Sequence, residues 1–545
     1  MKKGKNDGNI PRNPFSRVLI VISLSIGLVG YGYYYYRAPK ATGLVSNVFY
    51  TLYSTIRQYT FSFDADFSRV GQLNLLDVVI MFSLYFAFVL SAFITGFTLY
   101  TLLRPFFAGI RTRIMARRAN SIALHGSSAI ISVLEQNLDG YCVIDGSRGS
   151  ESLKAKEHIV AFDHDEDALD FLRRNSETMC GEHHKQPAKI YLCIQTPGLG
   201  ITHDSTVKVS CISENCARLY WEKYYLPRFG RGLPQAADSA HERRSKVVII
   251  GFDKYGQSIL YQALSVNVFL TGTPGVEYHV FGDGKAFLRK YPELENVADI
   301  NSVSKIEKDS IFFYDRESYI SSADVISGSD RLIIVSDDDI ENYEIFTALC
   351  SLYTSLPPIY VRLKTDIVME TLYCGREETK KGDALYNVEV SVFGTDAELY
   401  SKDIIINDSL LERAKAIDGW YRKRYRGTAG WEEIGTTKQL SNISAADHAS
   451  VKLRQFLGED IGMTPETLAR YKEKLALHKD DAEYMYRFME LEHERWRRFY
   501  YLHNWKYDEN RNDAERKHNC LKPFDQLPEE IRANDLDSYF ALGEQ

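Results

Sequence analysis

Apolar positions are spread unevenly along this chain of 545 residues. Two long runs stand apart, Val18 to Tyr36 (VLIVISLSIGLVGYGYYYY) and Val78 to Leu103 (VVIMFSLYFAFVLSAFITGFTLYTLL). Each supplies the roughly 20 uncharged residues with which a helix crosses about 30 Å of hydrocarbon. Between them, LVSNVFYTLYSTIRQ places Leu44, Val48, Leu52 and Ile56 at helical spacing. An amphipathic or re-entrant segment is therefore expected over residues 44–61. Everything after Arg104 is polar enough to be soluble.

From Asn120 onward short apolar runs alternate with helical stretches. SIALHG (Ser121 to Gly126) leads into a helical SAIISVLEQNL, and a long insert follows. Then come HIVAFD (His158 to Asp163), the helix DEDALDFLRRN, the strand KIYLCIQ, and STVKVSCIS before another helix. The order recurs with KVVIIG (Lys246 to Gly251), the helix QSILYQALSV, and the strands EYHVFGD, SIFFYD, RLIIVSDDD and PIYVRL. Strand, glycine turn, helix and a strand closed by an acid make up a Rossmann half, and such short buried runs suit parallel sheets. The fold class expected is thus a two-helix transmembrane region, tandem α/β Rossmann-like units and a small, mainly α C-terminal domain. The domains expected are residues 1–104 (membrane), 105–119 (a basic linker helix), 120–235 and 245–400 (the α/β units) and 405–545.

Charge orients the spans. Lys2, Lys3, Lys5, Arg12 and Arg17 precede the first, and Arg104, Arg111, Arg113, Arg117 and Arg118 follow the second. The loop between is balanced, with Lys40, Arg57 and Arg69 against Asp64, Asp66 and Asp77. The positive-inside tendency puts both termini in the cytoplasm of a two-span protein of the cell inner membrane. The first run is long, ends in the aromatic cluster Tyr31 to Tyr36 and lacks a small-residue cleavage site, unlike a signal peptide. A net charge of -7 argues against nucleic acid as main partner. The eight cysteines are scattered, without a CxxC pair. His493-Glu494 meets Arg497 where a HExxH zinc helix needs histidine. No Ser-His-Asp or Cys-His grouping stands out, so no catalytic residue, no metal and no enzymatic activity are expected.

The candidate ligand residues of the α/β units lie at the glycine turns. The second turn reads Gly251-Phe-Asp253-Lys-Tyr-Gly256, with Asp283 closing the next strand. The first keeps Gly126 and Ser127, with Asp163 as its acid. Such a turn lets a phosphate approach a helix N-terminus while the acid bonds a ribose hydroxyl. Asp253, in place of the middle glycine, opposes a pyrophosphate. A bound dinucleotide, another nucleotide ligand and a purely structural fold all remain open.

Two spans, a basic linker and tandem Rossmann-like units resemble the regulator-of-potassium-conductance (TrkA-N type) architecture over residues 1 to 400. The resemblance implies a homo-oligomer, taken as a tetramer, in which ligand binding moves the inner helices. A TVGYG-type filter is absent. Thr55-Ile-Arg57-Gln-Tyr-Thr60 stands in its place without a glycine, leaving Thr55, Arg57 and Thr60 as pore candidates beside the reading of an interfacial helix.

Four of the five tryptophans lie after residue 400. There, His493 and Trp496, then Trp505 and Tyr507, Lys517-His518, Leu521, Pro523 and Phe524, and Leu527 with Glu530 follow one another in an order that resembles the ryanodine-receptor (RyR) repeat domain. The resemblance implies a small helical module whose aromatic cleft could take a nucleotide-type ligand, with His493, Arg495, Trp496, Trp505, Tyr507 and His518 as candidates, beside the reading of Trp496, at helical spacing from Glu492 and Tyr500, as a core residue. The functional expectation is a membrane-anchored cytoplasmic sensor, a homo-oligomeric ligand-gated channel or membrane effector controlled by a nucleotide or dinucleotide. The alternative is a non-conducting tethered scaffold. A membrane-bound NAD-dependent enzyme is disfavoured by the degenerate glycine turns.

Overall fold

The structure is a computed structural model that describes residues 14–40, 43–148, 150–180, 187–198, 206–228, 243–365 and 388–544. They form two compact units that divide between Ile114 and Met115.

The first unit is built on helices α1 (Pro14–Arg37), α2 (Leu44–Arg57) and α3 (Leu75–Ala116). Within α1 and α3, Val18–Arg37 and Leu75–Leu103 are long and apolar enough to cross a membrane. The stretch Phe106 to Arg118, read from sequence as a separate basic helix, continues α3 without a break as far as Ala116. Helix α2 runs antiparallel along α1. Tyr35 meets the Tyr50 ring at 5.8 Å midway along it and shares a hydroxyl bond of 2.8 Å with Ser54 a turn later, and Gln58, just past its end, reaches back to the Ser23 carbonyl at 3.5 Å. Gly27 makes this approach possible, because a Cβ there would lie 2.8 Å from the Thr55 methyl. At the tip, Ser91 and Thr95 of α3 donate to the carbonyls of Gln58 and Tyr59, each at 3.0 Å. The chain then returns along α1. Phe63 meets Tyr31, the Asp66 amide donates to the Tyr34 hydroxyl at 3.0 Å, and Asp77 takes Arg37 at 3.0 Å. The segment is therefore a helix-down, coil-up hairpin. Its tip sits beside Ser23, 14 residues and roughly 21 Å of helix from Arg37.

The second unit carries two all-parallel sheets. The first comprises β1 (Ser121–Gly126), β2 (Cys142–Asp145), β3 (Glu157–Ala161), β4 (Lys189–Ile194) and β5 (Val207–Cys211), in the order β2-β1-β3-β4-β5. Helices α4 (Ser128–Asn137), α5 (Asp165–Cys180) and α6 (Ile212–Lys223) accompany it. Strand β2 lies in the stretch read from sequence as an insert. The acid that closes the second strand is consequently Asp145, and Asp163 follows the third strand instead.

The second sheet comprises β6 (Ser245–Ile250), β7 (Val276–Phe281), β8 (Ala298–Ile300), β9 (Asp309–Tyr314), β10 (Arg331–Ile334), β11 (Ile359–Arg362) and β12 (Val390–Phe393). Its order is β12-β11-β10-β6-β7-β9-β8. Counting β6, β7, β9, β10, β11 and β12 as one to six, this is the 3-2-1-4-5-6 order of a Rossmann-like sheet with β8 added at the edge. Helices α7 (Lys254–Val266), α8 (Lys285–Lys290), α9 (Ala323–Ser327) and α10 (Asp339–Leu352) fill the connections. Ser213 to Ser258 at 3.1 Å, and the Trp221 indole donating to the Ile259 carbonyl at 2.9 Å, stitch α6 to α7 and so join the two α/β units.

The remainder is helical: α11 (Asp396–Leu399), α12 (Lys402–Ile405), α13 (Ser409–Tyr425), α14 (Thr436–Leu457), α15 (Pro465–His478), α16 (Ala482–Leu502), α17 (Glu529–Arg532) and α18 (Asp537–Gly543). Thr464 opens α15 with a capping box and Pro465 in its first turn, and Asp481 caps α16. A two-residue ribbon, β13 (Lys506–Tyr507) with β14 (Lys517–His518), follows α16. One apolar core runs from Ile122 and Leu124 through α6 and α7 to Val247 and Ile249, and on to Leu502 and Trp505.

Candidate functional site

In an open parallel sheet the ligand crevice forms at the carboxyl ends of the strands where the order reverses. In the second sheet that point lies between β6 and β10. Gly251 takes φ +94° there, and a Cβ would fall 2.8 Å from the Ser336 nitrogen. Gly256, in the first turn of α7, lies so close to the Gly251 carbonyl that a Cβ would come within 2.3 Å. The backbone is thus that of a phosphate-binding turn, but the side chains are not. Asp253 is the N-cap of α7 and leaves the amides of its own helix unbonded by its side chain. It faces Arg316 at 3.5 Å instead. Arg316 also pairs with Glu341 and reaches the Ser336 hydroxyl at 3.4 Å. Burial, then the charge of Asp253, pushes the neighbouring Asp337 carboxyl above its ordinary range. Phe252 folds inward against Phe287 and Phe313. Asp283, beyond β7, turns to the Lys285 amide at 3.0 Å. The crevice crowds carboxylates around the Arg316 guanidinium, which disfavours a pyrophosphate at this helix N-terminus.

The corresponding crevice of the first sheet is sewn shut. A Cβ on Gly126 would overlap the Ala161 carbonyl oxygen, at 1.6 Å. The Ser127 amide donates to that oxygen at 3.1 Å, and the Ser127 hydroxyl accepts the Asp163 amide at 3.0 Å. Gly126, Ser127 and Asp163 do converge, through bonds that close the β1–β3 edge, with the Asp163 side chain exposed.

The RyR-like candidates separate into two groups by the faces of α16. His493, Trp496 and Tyr500 share one face, and with Trp505 and His518 they form a ring cluster. Trp496 lies 4.4 Å from Tyr500 and 4.9 Å from His518, and Tyr500 lies 4.9 Å from Trp505. His493 bonds the Lys522 carbonyl at 2.9 Å. His518 accepts the Cys520 amide on Nδ1 at 3.1 Å. Burial, then the Arg511 charge, lowers its pKa to about 4, so it is neutral at physiological pH. Tyr507 pairs with His518 in the ribbon but points into solvent. Arg495 is on the other face. It grips Glu492 at 2.8 Å and Ser444 at 2.9 Å, while Lys452 takes Glu492 at 2.7 Å and Ser538 at 2.8 Å. This buried network ties α14, α16 and α18 together and engages every guanidinium nitrogen of Arg495. Arg316 and Lys452 were not singled out from sequence, and Tyr500 was read there only as a residue at helical spacing from Trp496. Tyr500, at seven residues from His493, carried the only readable signal, that of a shared helix face.

In the first unit the pore candidates do not converge within one chain. Thr55 is buried against α1, bonded to the Thr51 carbonyl at 2.7 Å. Arg57 pairs with Asp64 at 2.9 Å, and the exposed Thr60 bonds the Arg57 carbonyl at 2.7 Å.

With this geometry described, comparison with known proteins adds one assignment. Residues 472–540 match the family model of the RyR domain, which places α16, its ring cluster and the ribbon inside that domain. No curated protein matches the chain. Among solved structures, the PH0520 protein from Pyrococcus horikoshii OT3 is similar at 12% identity. That match covers 65% of this chain and 97% of the other, with a TM-score of 0.20.

Proposed function

We propose that the protein is a membrane-anchored cytoplasmic ligand sensor that works as a homo-oligomeric, ligand-gated channel. The observation that carries this reading is the hairpin of residues 44–74. A helix descending beside one span and a coil climbing back is the arrangement by which channels bring polar backbone into the bilayer, where such backbone survives only if it is packed in protein or lines water. The descending helix leaves Leu44, Val48, Leu52 and Ile56 uncovered in a single chain, a face for lipid or for further copies. Two spans cannot enclose a pore, so several copies must assemble. Asp64 and Arg57 stand on the climbing and descending arms, where charged rings select ions in other channels. The regulator-of-potassium-conductance resemblance belongs to this proposal, with a nucleotide-type ligand shifting the cytoplasmic assembly between two arrangements.

Ion flux through liposomes containing the purified protein tests the reading, with and without adenine dinucleotides, ATP and cyclic nucleotides. Flux switched on by one compound is expected. Absence of flux under every condition, in a folded preparation, would favour the tethered scaffold instead. That second reading is supported by Thr55 facing its own bundle and by the lack of a glycine between Thr55 and Phe61.

A further inference from the structure

One enclosed space lies outside all the crevices above. It has a volume of about 230 Å³ and sits where α6 and α7 meet the start of α13 and the middle of α14. Its walls carry three arginines, Arg218, Arg413 and Arg454, and three carboxylates, Glu222, Glu412 and Asp447. The first two arginines are engaged. Arg218 holds Asp447 through several bonds, the shortest 2.7 Å, and Arg413 reaches Glu222 at 3.5 Å and the Ala446 carbonyl at 3.4 Å. Arg454 differs. It is 5% exposed, and its guanidinium carbon lies over the Tyr225 ring, 3.8 Å from the centroid. Among the described residues its side chain makes no direct ion pair or hydrogen bond, although the charge of Asp460 acts on it. A buried cation without an acceptor is costly unless something supplies one. Burial lowers its pKa, Tyr225 and Asp460 work the other way, and the result is about 10, so it stays charged at neutral pH.

We propose that this cavity binds a nucleotide bearing a single phosphate, linear or 3′,5′-cyclic, with the phosphate on Arg454. Arginine meets phosphate oxygens through paired N–H donors, and Ser450, one turn earlier on the same face of α14, adds a hydroxyl. The Trp221 indole, fixed by its bond to the Ile259 carbonyl, offers an aromatic wall for a base. The volume falls below the roughly 300–1,000 Å³ of drug-sized pockets, which favours a small ligand over a dinucleotide. Because the walls come from both α/β units and from the C-terminal helices, occupancy would bear on how all three pack. The inference deepens the sensor reading by giving its ligand a place, but binding itself rests only on the cavity.

The test is equilibrium dialysis of the full chain in detergent against radiolabelled AMP, GMP, CMP, UMP and their cyclic forms, with adenosine as the uncharged control. One member is expected to bind at one per chain, and its nucleoside at least roughly tenfold more weakly, as loss of a charge-assisted bond dictates. Arg454→Leu should weaken binding by a similar factor, and Ser409→Trp, at the exposed rim, should block it without touching the core. Arg316→Leu and His518→Gln should leave it unchanged. Failure of every compound to bind folded protein at millimolar concentration overturns the site. So does binding that resists both Arg454→Leu and Ser409→Trp, or that is lost in the Arg316 or His518 variant alone. The two proposals fail separately. Nucleotide-opened flux that persists in both cavity variants sinks the cavity and keeps the channel. Binding that needs Arg454 without any flux does the reverse.

Discussion

Asp253 shows how one side chain can change the meaning of a turn. The backbone around Gly251 and Gly256 keeps the close packing of a phosphate loop, yet the position that needs bare amide carries a carboxylate held by Arg316. That substitution was legible in the sequence; its partner, 63 residues away, was not. The reverse error came from Arg495 and Trp496. Adjacent in sequence, they lie about 100° apart around α16, so one joins an ion network and the other a ring cluster. Buried histidines carry the residue-scale prediction. Burial, then the Lys452 charge, lowers the His448 pKa to about 3, and burial lowers that of His125 to about 4. Both are neutral when folded, whereas the unfolded chain takes up protons near pH 6.5. Their contribution to stability is therefore complete above pH 6.5 and is lost as pH falls toward 4. Urea midpoints should drop between pH 7.5 and pH 5, and His448→Gln, which can still bond the Val268 carbonyl, should flatten part of that slope.

At the scale of elements, the sequence named the strands that are buried on both faces and, of the four edge strands, only β5. KVVIIG and RLIIVS are uninterrupted apolar runs because β6 and β10 lie inside the second sheet. Strands β2, β8 and β12 are short, are outermost and keep polar or half-exposed residues, so periodicity offers little to read. The amphipathic spacing of residues 44–61 gave the helix but not its descent, which depends on Gly27, Ser91 and Thr95 far along the chain. Helix α16 is fixed to the second sheet by a buried pair, Arg498 to Asp309 of β9 at 2.6 Å. Burial works against its charge, and the Asp309 and Glu494 carboxylates together outweigh that, raising the arginine pKa. Arg498→Leu leaves Asp309 uncompensated, with an expected loss of roughly 3–5 kcal/mol in denaturant titrations. Exposed Tyr507→Ala should stay within about 0.5 kcal/mol.

At the scale of the whole molecule, both sheets place an early strand inside them. Strand β6 is bracketed by β7 and by β10, and Ile250 pairs with Ile334 across most of the domain's length. A nascent chain therefore exposes one edge of its most apolar strand until β10 has been made, because non-local pairing must wait for its partner. Ribosome-bound chains halted after Tyr314 should be cleaved rapidly within β6 and β7 by added protease. Chains halted well beyond Phe393 should resist, and equal sensitivity of the two would count against this order of events. The topology that suits a crevice in the finished protein thus sets a delay during its synthesis, and during that interval the strand is a substrate for chaperones.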